Sequence, residues 1–486
     1  MSNHDIINLD DYSLILAAEE CDPATFNKIH TFSSYEKKII RSLMAHGPVL
    51  VRGGRGSGKS ALLIEASRQL EGSQSAVGVY LSLRYLPLLR SYGEKYEEIF
   101  CKLVYDIALK TITPSLSSIP KDAGALRHFL YDLAVSTGKR IVLFFDDAAH
   151  IGREQALTEF FDIFRTISSE LVSCKAAIYP GVTKFGNRFD VYNDSTVIDI
   201  ARDERSSEFQ DFFTQVVIKR FPVLNVSLGK EAPSISAFLG RAVVGNMRAF
   251  VFACKYLSEE TKYGLPELRN ILLKLSSDYY WPLLDEVAPK LGPYQPLIEP
   301  CIAVAEELFK LTASSSANSV IIHRDLVQKY TKLFEILEYA GFISRREVSR
   351  AMKSGGRGPR YCLNLASLME LMPKSLLTRE LHDSWLQSNQ DAAEIHISSN
   401  IFTIELPSIE ADADLGIFEM SITSLAKSNA YPYGLTPGKV ESLQAAGKIT
   451  IKDLIDTSDD DLQAIDGIGE QTVNKIRSVI NQAIWM

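Results

Sequence analysis

The feature that most constrains this chain is the run from Gly53 to Ser60, which reads Gly-Gly-Arg-Gly-Ser-Gly-Lys-Ser. The run fits the spacing G-x-x-x-x-G-K-[ST], with a short apolar segment at 49–51 before it and a helical pattern after it. Glycine lets successive backbone N–H groups turn toward one point, and the helix that follows adds the positive end of its dipole. The segment predicts a cradle for the phosphates of a nucleotide. The alternative is a glycine-rich turn that contains Lys-Ser by chance.

The motif gives each of its positions an expected role. Lys59 is expected to neutralise oxygens of the β- and γ-phosphates of ATP and so to take part in catalysis, and the Ser60 hydroxyl is expected to ligate Mg²⁺. We predict that the nucleotide-binding residues are Gly53, Gly54, Arg55, Gly56, Ser57, Gly58, Lys59 and Ser60.

Two carboxylates, Asp146 and Asp147, follow the apolar run at 141–145. In the P-loop families that this segment resembles, the first acid holds the Mg²⁺ shell and the second polarises the attacking water, which maps onto Asp146 and Asp147. The usual second acid is Glu, and the side chain of Asp is one methylene shorter, which leaves slow hydrolysis open. The alternative is an acidic loop that caps the helix expected to begin near Gly152.

The alternation of strand and helix patterns indicates the fold class. The strand-like runs are residues 77–83, 141–145, 176–179 and 196–200, and the helical stretches between them are residues 60–70, 96–110, 125–135 and 154–172. Such alternation predicts an α/β domain with a mostly parallel sheet. Helical patterns then cover residues 209–219, 235–257 and 265–275, which predicts a helical lid.

A motif in the lid extends the resemblance. Gly245-Asn246-Met247-Arg248 opens a helical pattern and resembles the sensor 2 motif of AAA+ ATPases. Over about residues 25–375 the chain is similar to that superfamily and, within it, to the origin-recognition type initiator ATPases. The resemblance implies that Arg248 reaches the γ-phosphate and couples the state of the nucleotide to the position of the lid. The alternative is a surface arginine on a lid helix.

Two further residues are implied by the same resemblance. Thr183, after the strand that follows the acidic pair, is the nearest match to the polar sensor 1 position, where the family often has Asn, and Arg188 resembles the arginine finger that completes the site of a neighbouring subunit. The second match implies a homo-oligomer, and an ordinary loop arginine is the alternative. The segment from Asp146 to His150 is also similar to the STAND signalling ATPases, in which His150 would contact the site; a packed loop histidine is the alternative.

A basic hairpin is predicted after residue 340. Residues 341–344 and 361–364 read as strands around a Gly/Pro-rich turn, after two or three helices in 296–340, which favours a winged helix. Six basic side chains stand there against the single acid Glu347, in a chain with a net charge of -8, and they are Arg345, Arg346, Arg350, Lys353, Arg357 and Arg360. This pattern predicts contact with the DNA backbone. A solvated hairpin that serves a protein partner is the alternative.

The C-terminal segment resembles a helix-hairpin-helix motif. The Gly-Ile-Gly hairpin at 467–469 would present backbone N–H groups to a DNA phosphate, and the full segment is similar to the five-helix domain at the end of the bacterial RNA polymerase α subunit. The predicted DNA contacts are Gly467, Gly469, Lys475 and Arg477. Because residues 431–486 hold five basic and eight acidic side chains, docking of a protein partner stays open beside DNA contact.

The motifs divide the chain into six segments. They are an N-terminal segment (1–24), an AAA+ P-loop ATPase core (25–204), a helical lid (205–290), a winged helix (291–378), a connector of unassigned fold with a strand-like run at 402–406 (379–430) and a helix-hairpin-helix domain (431–486). No secretory signal or membrane-length apolar run is evident, and the six cysteines form no CxxC pair, so we expect a cytoplasmic protein without a zinc module.

These observations lead to two hypotheses from different classes. The first is an ATP-binding, ATP-hydrolysing AAA+ protein that associates with DNA and acts as an oligomerising nucleotide switch. The second is a STAND-like scaffold with slow turnover whose C-terminal modules bind protein partners. A ring that remodels substrates ranks last, because the sequence has no recognisable substrate-threading loop.

Overall fold

A computed structural model of the chain describes residues 17–83, 94–112, 118–149, 154–182, 185, 188–387, 391–409, 416–427 and 434–485. The α-helices are α1 (Pro23–Ile29), α2 (Ser34–Met44), α3 (Lys59–Gln69), α4 (Glu94–Thr111), α5 (Ala123–Thr137), α6 (Glu154–Ile167), α7 (Val191–Asp194), α8 (Phe209–Arg220), α9 (Pro222–Leu228), α10 (Ala232–Ala242), α11 (Met247–Ser258), α12 (Leu265–Leu275), α13 (Trp281–Val287), α14 (Ile298–Ala313), α15 (Arg324–Lys329), α16 (Thr331–Ala340), α17 (Leu365–Leu371), α18 (Arg379–Leu386), α19 (Pro437–Ala445), α20 (Ile451–Asp456), α21 (Asp459–Gln463) and α22 (Glu470–Trp485). Within these residues, no helix is both long enough and apolar enough to cross a membrane.

The strands form two sheets. They are β1 (Val49–Arg52), β2 (Ala76–Ser82), β3 (Arg140–Ala149), β4 (Val172–Ile178), β5 (Thr196–Asp199), β6 (Ser319–Ile322), β7 (Ile343–Ala351), β8 (Arg357–Leu363) and β9 (Ala393–Ile395). The first sheet is parallel throughout, in the order β2-β3-β4-β1-β5, and helices connect most of its successive strands. The predicted α/β fold class is therefore confirmed.

The central strands explain where a ligand can bind. Every residue of β4 is buried, as expected for a strand covered on both faces. Because β4 lies between β1 and β3 in the parallel sheet, the carboxyl ends of β1 and β3 lie on either side of the carboxyl end of β4. The glycine-rich loop leaves β1 and the acidic pair lies in β3, so the fold brings both motifs to one edge of the sheet.

Two predicted helices have different limits in the structure. The helix predicted over 154–172 ends at Ile167. The Ser169 hydroxyl accepts the N–H of Val172, and Val172 is the first residue of the buried strand β4. The pattern at 235–257 divides into α10 and α11, because Val244 and Gly245 have φ of 48° and 77°. A helix cannot continue through left-handed residues, and Asn246 caps the new helix by accepting the N–H of Ala249.

The region after the lid has the element order expected of a winged helix. Helix α14 is followed by β6, by α15 and α16, and by the hairpin β7–β8, and its sheet has the order β7-β8-β6-β9. One continuous hydrophobic core runs from the lid through this region, with Phe250, Tyr280, Phe342 and Trp385 all fully or almost fully buried in it. The winged-helix interpretation and the six segment boundaries stay predictions.

Part of the predicted connector packs on this same region. Strand β9 pairs in parallel with β6, and Trp385 is fully buried. The run at 402–406 is not a strand: Asn400–Thr403 is a 3-10 helix, and the carbonyl of Ile404 accepts the Tyr330 hydroxyl at 2.6 Å. Ile404 is partly buried against the hydrophobic core, whereas Thr403 is exposed.

The C-terminal region contains the helices α19 to α22. The turn between α21 and α22 holds Gly467, whose φ of 79° favours glycine, and Ile468, which is buried with Leu462, Val473 and Ile476. These apolar side chains pack α21 and α22 against each other. The helix-hairpin-helix interpretation itself stays a prediction.

A buried ion cluster joins the end of the first sheet to the β7–β8 hairpin. Glu204 accepts from Arg346 at 2.8 Å, from Arg360 at 3.3 Å and from the thiol of Cys362 at 3.2 Å. Arg360 also donates to Glu347 at 2.8 Å, and the side chains of Arg346 and Arg360 are only 3% and 6% exposed. Burial alone would raise the pKa of Glu204, but the two guanidinium groups and the hydrogen bonds lower it to about 2.

We expect Glu204→Gln to destabilise the protein by about 3–5 kcal/mol, because it leaves two buried guanidinium groups without their charged partner. Urea denaturation followed by circular dichroism measures the change. The matched control is Asp391→Asn, which breaks the exposed pair with Lys353 and should cost less than about 1 kcal/mol. Equal effects of the two substitutions would contradict the importance of the buried cluster.

The same substitution has a predicted pH dependence. The folded-state pKa of Glu204 is lowered, so its contribution to stability is present above the ordinary Glu pKa and is lost as the pH falls toward about 2. The difference in stability between the wild type and Glu204→Gln should therefore shrink between about pH 4.5 and pH 2. A difference that stays constant over that range would contradict the prediction.

Candidate nucleotide-binding site

The glycine-rich loop between β1 and α3 has the backbone that its sequence predicts. Gly56 and Gly58 have φ of 78° and 92°, which ordinary side chains rarely adopt. A Cβ atom at Gly56 would also lie 2.7 Å from both the Cβ of Arg248 and the Oδ1 of Asn246. The loop therefore needs glycine both for its turn and for its contact with the lid.

Lys59 is held inside the loop. Its side chain is buried, and its Nζ donates to the carbonyls of Gly53 at 2.9 Å and of Gly54 at 3.1 Å. The same Nζ lies 3.4 Å from the centre of the Tyr179 ring. Burial lowers the pKa of Lys59 to about 7, although the carboxylates of Asp147 and Asp146 oppose the shift. A phosphate beside Lys59 would therefore stabilise its charged form.

Asp146 is buried at the Mg²⁺ position that the sequence predicts. Its Oδ2 accepts the Tyr80 hydroxyl at 2.6 Å, and the Ser60 hydroxyl also hydrogen-bonds to its carboxylate. Burial and the charge of Asp147 raise the pKa of Asp146 to about 6. Ser60 and Asp146 thus bring together two oxygen groups of the kind that Mg²⁺ binds in proteins.

Asp147 has a strained backbone at the predicted catalytic position. Its φ is 52°, and β3 continues beyond it through an irregularity in the pairing between Phe145 and Ala149. Its Oδ1 accepts the Tyr179 hydroxyl at 3.3 Å, and it lines the same cavity as Lys59. Strain of this kind is typical of functional positions, because the surrounding contacts hold a backbone that is unfavourable by itself.

The lid is hydrogen-bonded directly to the loop. The N–H groups of Met247 and Arg248 donate to the carbonyl of Gly56 at 3.0 and 3.2 Å, and Asn246 Nδ2 donates to the carbonyl of Arg55 at 2.6 Å. Arg248 lines the cavity, and its buried Nε has no hydrogen-bond partner among the described residues. The structure therefore brings the predicted sensor 2 arginine to the site with a free donor.

Helix α16 contacts the opposite side of the loop. The carbonyl of Tyr339 accepts the N–H of Arg55 at 2.8 Å, and a Cβ atom at Gly54 would lie 2.6 Å from the carbonyl of Glu338. Lys332, at the start of the helix, donates to the carbonyl of Gly181 at 2.8 Å. The loop is thus held between the lid and the winged-helix-like region.

Arg202 is a residue of the site that the sequence patterns did not reveal. Its guanidinium pairs with Glu36 of α2, where the two side chains are 6% and 2% exposed. One of its nitrogens, Nη1, also donates to the carbonyls of Ser57 at 3.0 Å and of Gly245 at 2.8 Å. No motif spacing marks an arginine after β5, so only the folded chain identifies this junction.

The same cavity also has apolar lining from Ile29, Phe32, Phe212, Val216 and Val251, together with the charged side chains of Glu36, Arg202 and Arg220. His30 lines it too; its ring stacks on the ring of Phe26 with the centroids 4.1 Å apart, and burial lowers its pKa to about 4, so it is neutral. Apolar lining of this kind suits the flat faces of a nucleotide base.

The other predicted site residues are Thr183, His150 and Arg188. Thr183 and His150 lie outside the described residues. Arg188 is exposed after β4; its N–H donates to the carboxylate of Asp162 at 3.1 Å, and its carbonyl accepts from Arg165. The role of an arginine finger therefore stays a prediction.

The structure corrects part of the predicted DNA-binding hairpin. Arg346 and Arg360 are buried in the Glu204 cluster, so their guanidinium groups cannot contact DNA phosphates in this arrangement. Arg345 lines a cavity between β1 and α16. The remaining cations lie toward the solvent, each with one local contact: Arg350 with Glu347, Lys353 with Asp391 and Arg357 with Ser349.

The C-terminal candidates also separate. Gly467, Gly469 and Lys475 are exposed, as a DNA-contacting hairpin requires. Arg477 instead donates to the carbonyls of Leu454 and Thr457, each at 2.6 Å, and pairs with Asp459. Its donors are used at the C-terminal end of α20, which corrects its assignment to a DNA surface.

Comparison with known proteins gives only distant structural likenesses. No family model and no curated protein matches the sequence. Solved structures that match include the ORC2 protein of Aeropyrum pernix in ADPNP–ADP complexes (10% identity, 73% of this chain and 93% of that chain, TM-score 0.36). They also include Cdc6p from Pyrobaculum aerophilum (11%, 76% and 99%, TM-score 0.33) and domain III of the replication initiation protein DnaA from Thermotoga maritima (17%, 52% and 96%, TM-score 0.30).

The fold and the site together define an α/β P-loop protein with a helical lid hydrogen-bonded to its phosphate cradle. At identities of 10–17% and these TM-scores, conclusions about function rest on the residues of this chain.

We expect Asp147→Gly to be more stable than Asp147→Ala by about 1–2 kcal/mol, because glycine adopts a φ of 52° without strain and alanine does not. Both substitutions remove the carboxylate and its bond with Tyr179, so the comparison isolates the backbone. Thermal unfolding of the two variants measures the difference. A more stable Asp147→Ala variant would show that the backbone at residue 147 is not in the left-handed region.

Proposed function

We propose that this chain binds ATP with Mg²⁺, hydrolyses it slowly, and uses the bound nucleotide to control its lid and its winged-helix-like region. One observation carries the proposal: the lid and α16 are both hydrogen-bonded to the loop that would hold the phosphates. A ligand that changes the shape of this loop must act on both contacts, since each uses backbone groups of the loop itself.

The side chains at the site have the chemistry that the proposal needs. Lys59 neutralises negative charge, and the buried free donors Arg248 Nε and Arg55 Nη1 offer further positive contacts at the cavity. Ser60 and Asp146 would hold Mg²⁺, which supplies charge neutralisation on the phosphates. Asp147 is the candidate base for water, and its short side chain, held by Tyr179, accounts for slow turnover.

DNA association forms the second part of the proposal. The solvent-facing cations Arg350, Lys353 and Arg357 remain on the hairpin after Arg346 and Arg360 are withdrawn, and Lys475 lies beside the exposed C-terminal glycine hairpin. A small basic set of this kind supports weak, salt-sensitive contact with the DNA backbone. Arg188 is exposed and does not line the nucleotide cavity of its own chain. This position supports assembly into a homo-oligomer, in which Arg188 would reach the site of a neighbouring subunit.

One observation favours the STAND-like alternative. Helix α16 carries Glu335 and Glu338, and its C-terminal end is seated on the phosphate loop rather than turned toward the solvent. A switch region docked on the nucleotide site and an acidic C-terminal domain are consistent with a signalling scaffold that binds a protein partner. A cytoplasmic location stays a prediction under either proposal.

The nucleotide chemistry is tested by measuring ATP binding and turnover of the full chain. We expect Lys59→Ala to weaken ATP binding by about a hundredfold, because the positive charge beside the phosphates is removed. We expect Asp147→Glu to raise turnover by at least about tenfold, because the longer side chain reaches the water position better. Turnover that survives in Lys59→Ala would contradict this site, and a slower Asp147→Glu variant would contradict the role of Asp147.

DNA association is tested by charge reversal on the hairpin. The triple variant Arg350→Glu, Lys353→Glu, Arg357→Glu should weaken binding to duplex DNA and reduce the slope of log K against log salt by about 0.9 for each phosphate that is no longer neutralised. Arg379→Glu, at an exposed position of α18, is the matched control. Unchanged binding by the triple variant, or ATP turnover indifferent to DNA together with a stable protein complex, would favour the scaffold.

A further inference from the structure

Arg55 is the residue of the phosphate loop at which the surrounding regions meet. Its N–H donates to the carbonyl of Tyr339 on α16, and its carbonyl accepts the side chain of Asn246 in the lid. Its guanidinium extends to α13, where Nη2 donates to Glu286 at 3.0 Å. The backbone and the side chain of this one residue are therefore both directed to parts of the chain outside the loop.

The guanidinium is placed between the lid and the cavity. The Arg55 side chain is 10% exposed and lines the nucleotide cavity together with Lys59 and Arg248. Its second terminal nitrogen, Nη1, is buried without a hydrogen-bond partner among the described residues. A buried guanidinium donor is costly to leave unsatisfied, so the geometry points to a ligand that fills this position.

The position of Arg55 relates it to the last phosphate rather than to the base. Lys59 lies on the ring of Tyr179, and the Tyr179 hydroxyl donates to Asp147, the candidate base for water. Arg55 lines the same cavity as Lys59, Asp147 and Tyr179. Its guanidinium therefore belongs to the part of the site that holds Lys59 and Asp147.

The present partner of Arg55 is easily outcompeted. The Glu286 side chain is 50% exposed and is shared with Lys290 at 2.9 Å, so water and a second cation weaken its hold on Arg55. A terminal phosphate has more negative charge than a carboxylate and can accept two parallel N–H bonds from a planar guanidinium.

We propose that Arg55 binds the terminal phosphate of a nucleoside triphosphate and that this phosphate competes with Glu286 for its guanidinium. With a diphosphate bound, Arg55 stays paired with Glu286 and ties α13 to the loop. With a triphosphate bound, the pair opens and α13 is released. The inference rests on the proposed nucleotide site and identifies the residues that distinguish ATP from ADP there.

The test compares the affinities of the full chain for fluorescent ADP and for a fluorescent, non-hydrolysable ATP analogue. Arg55→Ala should weaken triphosphate binding by about tenfold to a hundredfold and change diphosphate binding less than about twofold. Glu286→Gln should strengthen triphosphate binding by about threefold to tenfold, because the competing charge is removed while the shape is kept.

Matched variants separate this role from a structural one. Arg55→Lys keeps the charge but loses the paired donors, and it should recover only part of the discrimination. Arg52→Ala removes the neighbouring arginine, which pairs with Asp199 outside the nucleotide cavity, and it should leave both affinities unchanged. Circular dichroism identifies any variant that is not folded. If Arg55→Ala does not fold, the affinities of Glu286→Gln still test the proposal.

Hydrogen exchange of the segment 281–290 gives a second readout. In the wild type the triphosphate analogue should raise exchange in this segment relative to ADP, and in Glu286→Gln exchange should already be high with ADP. Equal losses of both affinities in Arg55→Ala, or weaker triphosphate binding in Glu286→Gln, would overturn the proposal. If the wild type binds neither nucleotide, the proposed function fails; if it binds both and Arg55→Ala keeps their ratio, only the inference about Arg55 fails.

Discussion

The buried pair between Arg202 and Glu36 is the interaction on which the geometry of the site depends. It joins α2 to the segment after β5, and the same guanidinium donates to carbonyls of the phosphate loop and of the lid. Its two charges are almost completely removed from water, so breaking it would leave an uncompensated buried charge. The pair fixes where the lid meets the loop, which in turn fixes where Arg248 lies.

A consequence of this arrangement is a concentration of positive charge in a buried place. Lys59, Arg55 and Arg248 all line one cavity, and burial lowers the pKa of Lys59 to about 7. Asp147 lines the same cavity and Glu286 pairs with Arg55, so this positive charge is already partly balanced. Under the proposed function, the phosphates of a nucleotide would balance the rest and would link the sheet, the lid and α16.

In the β7–β8 hairpin, two cations that the sequence assigned to a binding surface instead form buried ion pairs within the protein. Its six cations predicted a surface for DNA, because in sequence they face a single acid, Glu347. In the structure Arg346 and Arg360 turn inward to Glu204, which is 142 and 156 residues away from them along the chain. Composition counts the charges of a segment. It does not show where a side chain points or which distant acid pairs with it. The exposed cations of the same hairpin keep the basic, solvent-facing character that the pattern predicts.

The sequence by itself determined the local parts of this protein: the glycine-rich loop with Lys59, the acidic pair after an apolar strand, and the parallel α/β sheet. These depend on short spacings and on backbone preferences of neighbouring residues, which a linear pattern records. Only the tertiary structure decided that Arg202 and Glu36 meet, that α16 is seated on the loop, and that Arg55 is shared between Glu286 and the cavity. Such contacts join residues far apart in sequence, and they are selected by which surfaces pack together, a property of the whole folded chain.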